Sequence, residues 1–261
     1  GHRFGWLLPT YAWAAVALLI VPVVAMVPMA FTNSTFMSFP PPGFSLRWFE
    51  AYAAAPIWVA ATLRSFGIGL VVAVLTCILA TLAAIGLARS TSRLAGAVFL
   101  IFMAPMVVPG IVIGVSLFYV FAKIGLLASD LGIMLGHMVH AIPIAFVILL
   151  ATIKGHDRRL DQAAATLGAD RPRTFWRVTL PLIRGGMVGA LIFAFLSSFE
   201  ELTVAMFVGG GVRVTLPKQM WDDANLTVSP LLVAASVVVV VIVTALFLLA
   251  EYLRPADARR A

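Results

Sequence analysis

The stretch QAAATLGADRPRTFWRVTLPLI, residues 162–183, interrupts a strongly apolar chain with several arginines, a run of alanines, a glycine and a closing Leu-Pro pair. Long apolar runs lie on both sides of it. A stretch of this composition belongs in water, so it forms a polar loop between two membrane segments. This loop and the apolar runs around it decide the fold.

Six apolar runs predict six transmembrane helices. The hydrophobic fraction is 62% and the charged fraction is 11%, whereas a soluble domain is about 45–50% apolar and about a quarter charged. A helix needs about 20 apolar residues to cross a bilayer. We therefore expect an all-α integral membrane protein in which residues 1–261 form one transmembrane domain. The predicted spans are about 7–31, 59–87, 95–121, 133–153, 186–208 and 229–253.

The distribution of basic residues orients these helices. With the N-terminus inside, thirteen lysines and arginines fall on the inner side and five on the outer side. Because the cytoplasmic side carries the excess of basic residues, both termini and the loop 154–184 are predicted to be cytoplasmic. The inner residues are Arg3, Arg89, Arg93, Lys154, Arg158, Arg159, Arg171, Arg173, Arg177, Arg184, Arg254, Arg259 and Arg260, and the outer ones are Arg47, Arg64, Lys123, Arg213 and Lys218.

The loop 154–184 predicts two short helices joined at a glycine. Asp157 is suited to cap the first helix, and Gly168 to end it in the left-handed conformation. Asp170 is suited to start the second helix, and Pro181 to end it before the chain re-enters the membrane. The expected result is a rigid knob at the membrane surface.

Two kinds of partner fit such a knob. Leu160, Ala164 and Leu167 share one face of the first helix, which suits contact with another protein. The arginines with Phe175 and Trp176 suit an anionic lipid headgroup layer. The residues by themselves leave both alternatives open.

The third predicted span contains APMVVPGIVIG, residues 104–114. Pro105 and Pro109 each remove a backbone hydrogen bond from a helix. Such breaks persist in membranes where protein or a water-lined cavity satisfies the freed backbone groups. A bent packing helix and a flexible gate beside a transport pathway both fit, so these prolines are candidate pathway residues.

Glu200 and Glu201 lie in the fifth predicted span, about 24 Å along the helix from Arg184. Carboxylates at such a depth usually face a cavity or a partner. For Glu200 we favour a cation-attracting surface near the entrance of a pathway, and an interfacial carboxylate satisfied by water, a serine or an arginine is the alternative. Glu201 points elsewhere on the helix, and we expect it to be satisfied by water, a nearby serine or an arginine such as Arg64.

Asp222 and Asp223 stand beside Trp221 in the predicted last outer loop. An acid with an aromatic ring can hold an organic cation by charge and by a cation–π contact. Docking to a protein outside the membrane and a plain solvated loop also explain this group. Trp221 and Asp222 are therefore candidate pathway residues with two open alternatives.

No metal site or catalytic group is predicted. His137 and His140 stand three residues apart without a nearby carboxylate or cysteine, which indicates packing rather than metal binding. The single cysteine, Cys77, excludes an intramolecular disulfide. The serines have no matching histidine and aspartate for covalent catalysis. We expect no catalytic residue, metal or cofactor in this chain.

The stretch 162–183 resembles the cytoplasmic "EAA" loop of binding-protein-dependent ABC importer permeases. That pattern is Glu-Ala-Ala, three residues, glycine, nine residues, isoleucine, one residue and Leu-Pro. Here Gln162 replaces the acid, with Asp161 one position earlier, and Val178 replaces the isoleucine. The residues at matching positions are Gln162, Ala163, Ala164, Gly168, Val178, Leu180 and Pro181.

The segments APMVVPGIVIGVSL, LSSFEELTVAMFVGG and VTLPKQMWDD are similar to the polyamine-type (spermidine/putrescine-like) branch of these permeases. The resemblance implies the six-helix type I (MetI-like) importer fold and a multi-pass location in the bacterial inner membrane. It also implies three protein partners: a second permease subunit of different sequence, an external binding protein that delivers the solute, and an ATPase whose cleft receives the EAA loop.

Energy must enter through a partner, because the chain has no G-x-x-x-x-G-K-[ST] phosphate loop. ATP and Mg are expected on the partner ATPase. A secondary transporter would need paired broken helices and midplane ion sites, and only the third span is clearly broken. A membrane-embedded enzyme would need a catalytic constellation. Since neither rival requires the EAA-like loop, the leading hypothesis is a permease subunit that forms half of a pathway for a small cationic solute.

Overall fold

The computed structural model describes residues 7–211, 213–227 and 229–253. Within these residues all regular secondary structure is helical, apart from one isolated bridge that pairs Thr32 with Phe44. The all-α prediction is therefore confirmed. Both termini, with Arg3, Arg254, Arg259 and Arg260, lie outside the described residues, so their cytoplasmic orientation stays a prediction.

Five described helical stretches are long and apolar enough to cross a membrane, and a bent helix pair makes a sixth if it forms one span. This agrees with the expected six-helix architecture. In chain order the helices are α1 (Leu7–Ala30), α2 (Arg47–Ala54), α3 (Pro56–Arg89), α4 (Ala95–Val107), α5 (Gly110–Ile124), α6 (Asp130–Gly155), α7 (Arg158–Thr166), α8 (Arg171–Thr174), a π-helical turn (Phe175–Thr179), α9 (Leu180–Phe199), α10 (Thr203–Phe207), α11 (Leu216–Leu226) and α12 (Pro230–Leu253).

The chain divides into two compact units. The first contains residues up to 60 and residues 219–242. Its helix α1 is apolar and exposed along most of its length, as expected of a helix surrounded by lipid. The short helix α2 begins at Arg47, which donates a 3.0 Å hydrogen bond to the Asn33 carbonyl oxygen.

The second unit contains the main core, in which α6 and α9 form the most extensive helix pair. Phe146 and Leu149 of α6 are fully buried, as are Ile183 and Ala190 of α9. Small residues at such an interface let two helix backbones approach closely, which is how helices associate in lipid. This pair holds the loop of residues 156–179 at one end of the unit.

The third predicted span is broken rather than merely kinked. Helices α4 and α5 meet at an angle of 102°. Val108 is extended because the residue before a proline is pushed out of the helical region, and Pro109 then caps α5. Pro105, by contrast, lies inside α4 without interrupting it.

The prediction that Pro181 ends the second loop helix was wrong. Helix α8, the π turn and α9 form one continuous helix, Arg171–Phe199. In the π turn the amide of Leu180 donates to the carbonyl of Phe175, five residues earlier. This wider turn changes which carbonyl faces position 181, so proline is tolerated at the start of α9. The fifth membrane helix thus begins inside the loop and ends at Phe199.

Candidate functional site

The helix ends of the loop form as the residues predict. The Asp157 carboxylate accepts a 2.9 Å hydrogen bond from the amide of Arg159 and caps α7. Gly168 adopts a left-handed φ of +84° just after that helix. The Asp170 carboxylate accepts a 2.9 Å hydrogen bond from the amide of Arg173 and caps α8. These local contacts make a helix–glycine–helix knob.

The EAA-like residues face in two directions. Gln162 and Ala163 are exposed, and the nearby Leu167 side chain is 89% exposed. Val178 and Leu180 are half-buried in the stretch that leads into α9. The first part of the pattern is thus available to a partner, while the second part anchors the knob.

Asp161 joins the knob to the membrane helices. Its Oδ2 accepts a 2.9 Å hydrogen bond from Arg89 Nη2, at the end of α3. Its Oδ1 accepts a 3.0 Å hydrogen bond from the Thr179 hydroxyl and lies 3.2 Å from His156 Nε2. The four side chains of Arg89, His156, Asp161 and Thr179 are called the Asp161 tether below.

A second carboxylate cluster lies at the opposite end of α6. Asp130 Oδ2 lies 2.9 Å from Arg213 Nη1, and Asp130 Oδ1 lies 3.4 Å from Arg64 Nε. The preceding Ser129 caps α6 by accepting a 2.9 Å hydrogen bond from Gly132. Arg64, named above as one possible partner of Glu201, pairs with Asp130. Sequence reasoning missed Asp130, although the serine just before it is a typical helix cap.

Glu200 and Glu201 differ in their surroundings. Helix α9 ends at Phe199, so Glu200 lies at its C-terminus with an exposed side chain. Glu201 is half-buried: its Oε1 accepts a 3.0 Å hydrogen bond from Val204, and its Oε2 lies 3.7 Å from His140 Nδ1. The expected partners of Glu201 were water, a nearby serine or an arginine, whereas the contacts seen here are with Val204 and His140.

Two histidines of α6 contact the end of α9 and the segment that follows it. His137 is 1% exposed, and its Nδ1 lies 2.8 Å from the Ser198 hydroxyl. His140 lies beside Glu201 and near Gly110, the first residue of α5. The break after α4 therefore lies next to a group of polar side chains from α6 and from the segment around α10.

Trp221 and Asp222 lie on helix α11, so their predicted placement in a loop was wrong. The helix Leu216–Leu226 continues through the polar residues that indicated a loop. Asp223 accepts hydrogen bonds from Thr227 Oγ1 at 2.7 Å and Ser229 Oγ at 3.0 Å, and so binds the turn into α12. Trp221 remains 46% exposed, and Asp222 is half-buried.

Comparison with known proteins gives a family match and several relatives. The family model described as "Binding-protein-dependent transport system inner membrane component" matches residues 77–256. The spermidine/putrescine transport system permease protein PotC of Haemophilus influenzae is 26% identical over 92% of this chain and 93% of its own. The putrescine transport system permease protein PotI of Escherichia coli is 29% identical over 84% and 82%.

A third relative is named for the transport of molybdenum rather than a polyamine. The molybdenum transport system permease protein ModB of Mycobacterium bovis is 32% identical over 81% of this chain and 89% of its own.

The fold also matches a solved structure. A chain of a bacterial ABC transporter involved in the import of the acidic polysaccharide alginate superposes with a TM-score of 0.74. The match covers 97% of this chain and 96% of that chain at 13% sequence identity. The chain therefore belongs to the family of binding-protein-dependent transport system inner membrane components and is a multi-pass permease subunit of an ABC importer.

Proposed function

We propose that residues 154–184 are the coupling segment through which a partner ABC ATPase drives this permease. The observation that carries the proposal is the knob itself, which exposes Gln162, Ala163 and Leu167 and is tied to membrane helices by Asp161. A rigid element with one exposed face and one anchored face can transmit movement from a soluble partner. The EAA-like spacing supports a protein partner over a lipid surface.

The same proposal assigns the chemistry of ATP to the partner. The chain has no phosphate loop of its own, so ATP and Mg bind to the ATPase subunits and the permease is not an enzyme. The exposed Leu167, next to the left-handed Gly168, offers an apolar contact for a cleft. The space beside Gly168 is open, since a β-carbon built there would meet no atom of this chain within 4 Å. A partner can therefore approach the backbone closely at this position.

We infer further that the solute is a small cation such as a polyamine. PotC and PotI carry polyamines in their names and ModB carries molybdenum, so relatedness alone leaves the charge of the solute open. The exposed carboxylate of Glu200 favours a cation. Asp222 and the exposed Trp221 add a second acid with an aromatic ring, which suits an organic ammonium group.

The transporter in this proposal has four kinds of component. Residues 1–261 form a single permease domain and half of the pathway, and a second permease of different sequence forms the other half. An external binding protein delivers the solute, and the ATPases bind on the cytoplasmic side of the bacterial inner membrane. Pro105 and Pro109, beside the break between α4 and α5, act as part of the gate.

Replacement of Gly168 by aspartate tests the coupling segment. Position 168 has a positive φ, so any side chain is strained there, and a charge would also enter the proposed ATPase cleft. We expect Gly168→Asp to insert normally but to lose ATPase co-purification and solute uptake. Gly155→Asp is the matched control, because Gly155 lies at the end of α6 with open space and no left-handed φ.

Normal co-purification and uptake by Gly168→Asp would show that the ATPase docks elsewhere. Equal loss in Gly155→Asp would point to a general effect of charge near the membrane surface. If added anionic vesicles displace the wild-type knob from the membrane surface without changing ATPase co-purification, the result would favour the lipid anchor.

A further inference from the structure

The Asp161 tether brings together side chains that are far apart in the sequence. Arg89 ends α3, His156 follows α6, and Thr179 directly precedes α9. Asp161 belongs to the first turn of α7. One carboxylate therefore contacts residues at the end of α3, just after α6 and just before α9.

The cluster is buried on the Asp161 and His156 side, whereas the Arg89 side chain is 43% exposed. The Asp161 side chain is 17% exposed and that of His156 is 6% exposed. Charges in such surroundings are screened less by water and salt than exposed charges. A carboxylate can accept up to about four hydrogen bonds, so Asp161 can hold all three partners at once.

The position of the acid along α7 determines the direction in which its side chain points. Adjacent residues on a helix point about 100° apart, because a turn contains about 3.6 residues. Gln162 stands where the EAA pattern has its acid, and its side chain is exposed. The acid of this chain lies one residue earlier and turns toward Arg89 and Thr179 instead. Helix α7 thus has an outward face at Gln162 and an inward contact at Asp161.

We propose that Asp161 is a positioning residue that transmits displacement of α7 to α3, α6 and α9 during ATP-driven transport. This inference rests on the proposed docking of residues 154–184 to an ATPase. Neutral Gln162 on the outer face takes part in docking, while the charge of Asp161 ties docking to the membrane helices. Loss of the charge uncouples ATP hydrolysis from solute movement without removing the ATPase.

The test uses the complete transporter with Asp161→Asn in this chain. Asparagine keeps the size of the side chain but removes the charge that holds Arg89. We expect the ATPase to co-purify and hydrolyse ATP, while solute moved per ATP falls about tenfold, within the range of roughly 5- to 150-fold typical of coupling between sites. Amide hydrogen exchange in residues 157–167 should become faster.

Asp170→Asn is the matched control, because it removes a charge from the same loop while asparagine caps a helix as well as aspartate does. It should keep normal coupling and normal hydrogen exchange. The exchanged pair Arg89→Asp with Asp161→Arg should recover a measurable part of the lost coupling. Such recovery distinguishes a specific contact from a general structural role.

Unchanged transport per ATP and unchanged hydrogen exchange in Asp161→Asn would overturn the proposal. Loss of ATPase co-purification, as expected for Gly168→Asp, would overturn it too, because Asp161 would then act in docking. If Asp161→Asn fails to insert, Thr179→Val removes one donor to Asp161 and should give a smaller loss of coupling in the same direction. If the wild-type chain binds no ATPase, the proposed function fails, and hydrogen exchange still shows whether the tether holds α7.

Discussion

Gly186 of α9 lies so close to Thr152 of α6 that a β-carbon at position 186 would overlap the threonine side chain, its β-carbon included. The neighbouring Gly185 has open space where its β-carbon would stand. Two adjacent glycines of one helix thus have opposite surroundings. The contact at Gly186 sets how closely the two main core helices approach.

We predict opposite effects of alanine at these two positions. Gly185→Ala should stabilise the chain by up to about 1 kcal/mol, because alanine favours a helix over glycine. Gly186→Ala should destabilise it by about 1–3 kcal/mol, the usual effect of overpacking. Unfolding of the purified protein in detergent measures both. Equal stability of the two variants would contradict the close packing of α6 against α9.

We predict that the two glutamates after α9 act differently. Glu200→Gln should lower uptake of a cationic solute by raising KM, with subunit assembly unchanged, because its exposed charge attracts the cation. Glu201→Ala should instead lower the free energy of unfolding by about 1 kcal/mol, because the amide of Val204 loses its acceptor. Uptake kinetics and thermal unfolding separate the effects. Unchanged uptake in Glu200→Gln would remove that residue from the pathway.

We predict that the cluster around Asp130 contributes a modest, salt-dependent stability. Its side chains are partly exposed, and such ion pairs contribute about 0–1 kcal/mol each. Asp130→Asn should therefore lower the unfolding free energy by about 1 kcal/mol at low salt, and the loss should shrink at high salt. A loss that grows with salt would show that the interaction is not mainly electrostatic.

We predict that the purified chain alone hydrolyses no ATP and gains activity only with an ATPase subunit. The reason is that no segment carries the glycine-rich loop and lysine that hold phosphates. Phosphate release by the purified permease measures this directly, and a preparation of Gly168→Asp controls for ATPase carried over from the host. Robust hydrolysis that persists in that variant would sink the assignment of ATP chemistry to a partner.

Several predictions from sequence depended only on near neighbours and agree with the structure. Asp157 and Asp170 cap helices because each contacts an amide two or three residues later. Gly168 is left-handed because glycine has no β-carbon to clash. The lengths of the apolar runs are likewise local, since each must cross a bilayer of fixed thickness.

Predictions failed where a helix continued through residues that usually interrupt one. Pro181 continues a helix because the π turn before it alters the hydrogen-bond pattern. Trp221 and Asp222 lie on a helix despite a polar sequence that indicated a loop. Local propensity is a weak preference that tertiary context can override.

The sequence by itself determined that this chain is an all-α membrane protein with an EAA-like loop capped at Asp157 and Asp170, because apolar length and helix capping act over a few residues. Only the tertiary structure decided that Asp161 holds Arg89 and that Asp130 holds Arg64. The two members of each pair are separated by more than sixty positions, and the charges alone admit many pairings. The tertiary structure selected these contacts by placing Arg89 of α3 beside Asp161 of α7 and Arg64 of α3 beside Asp130 of α6.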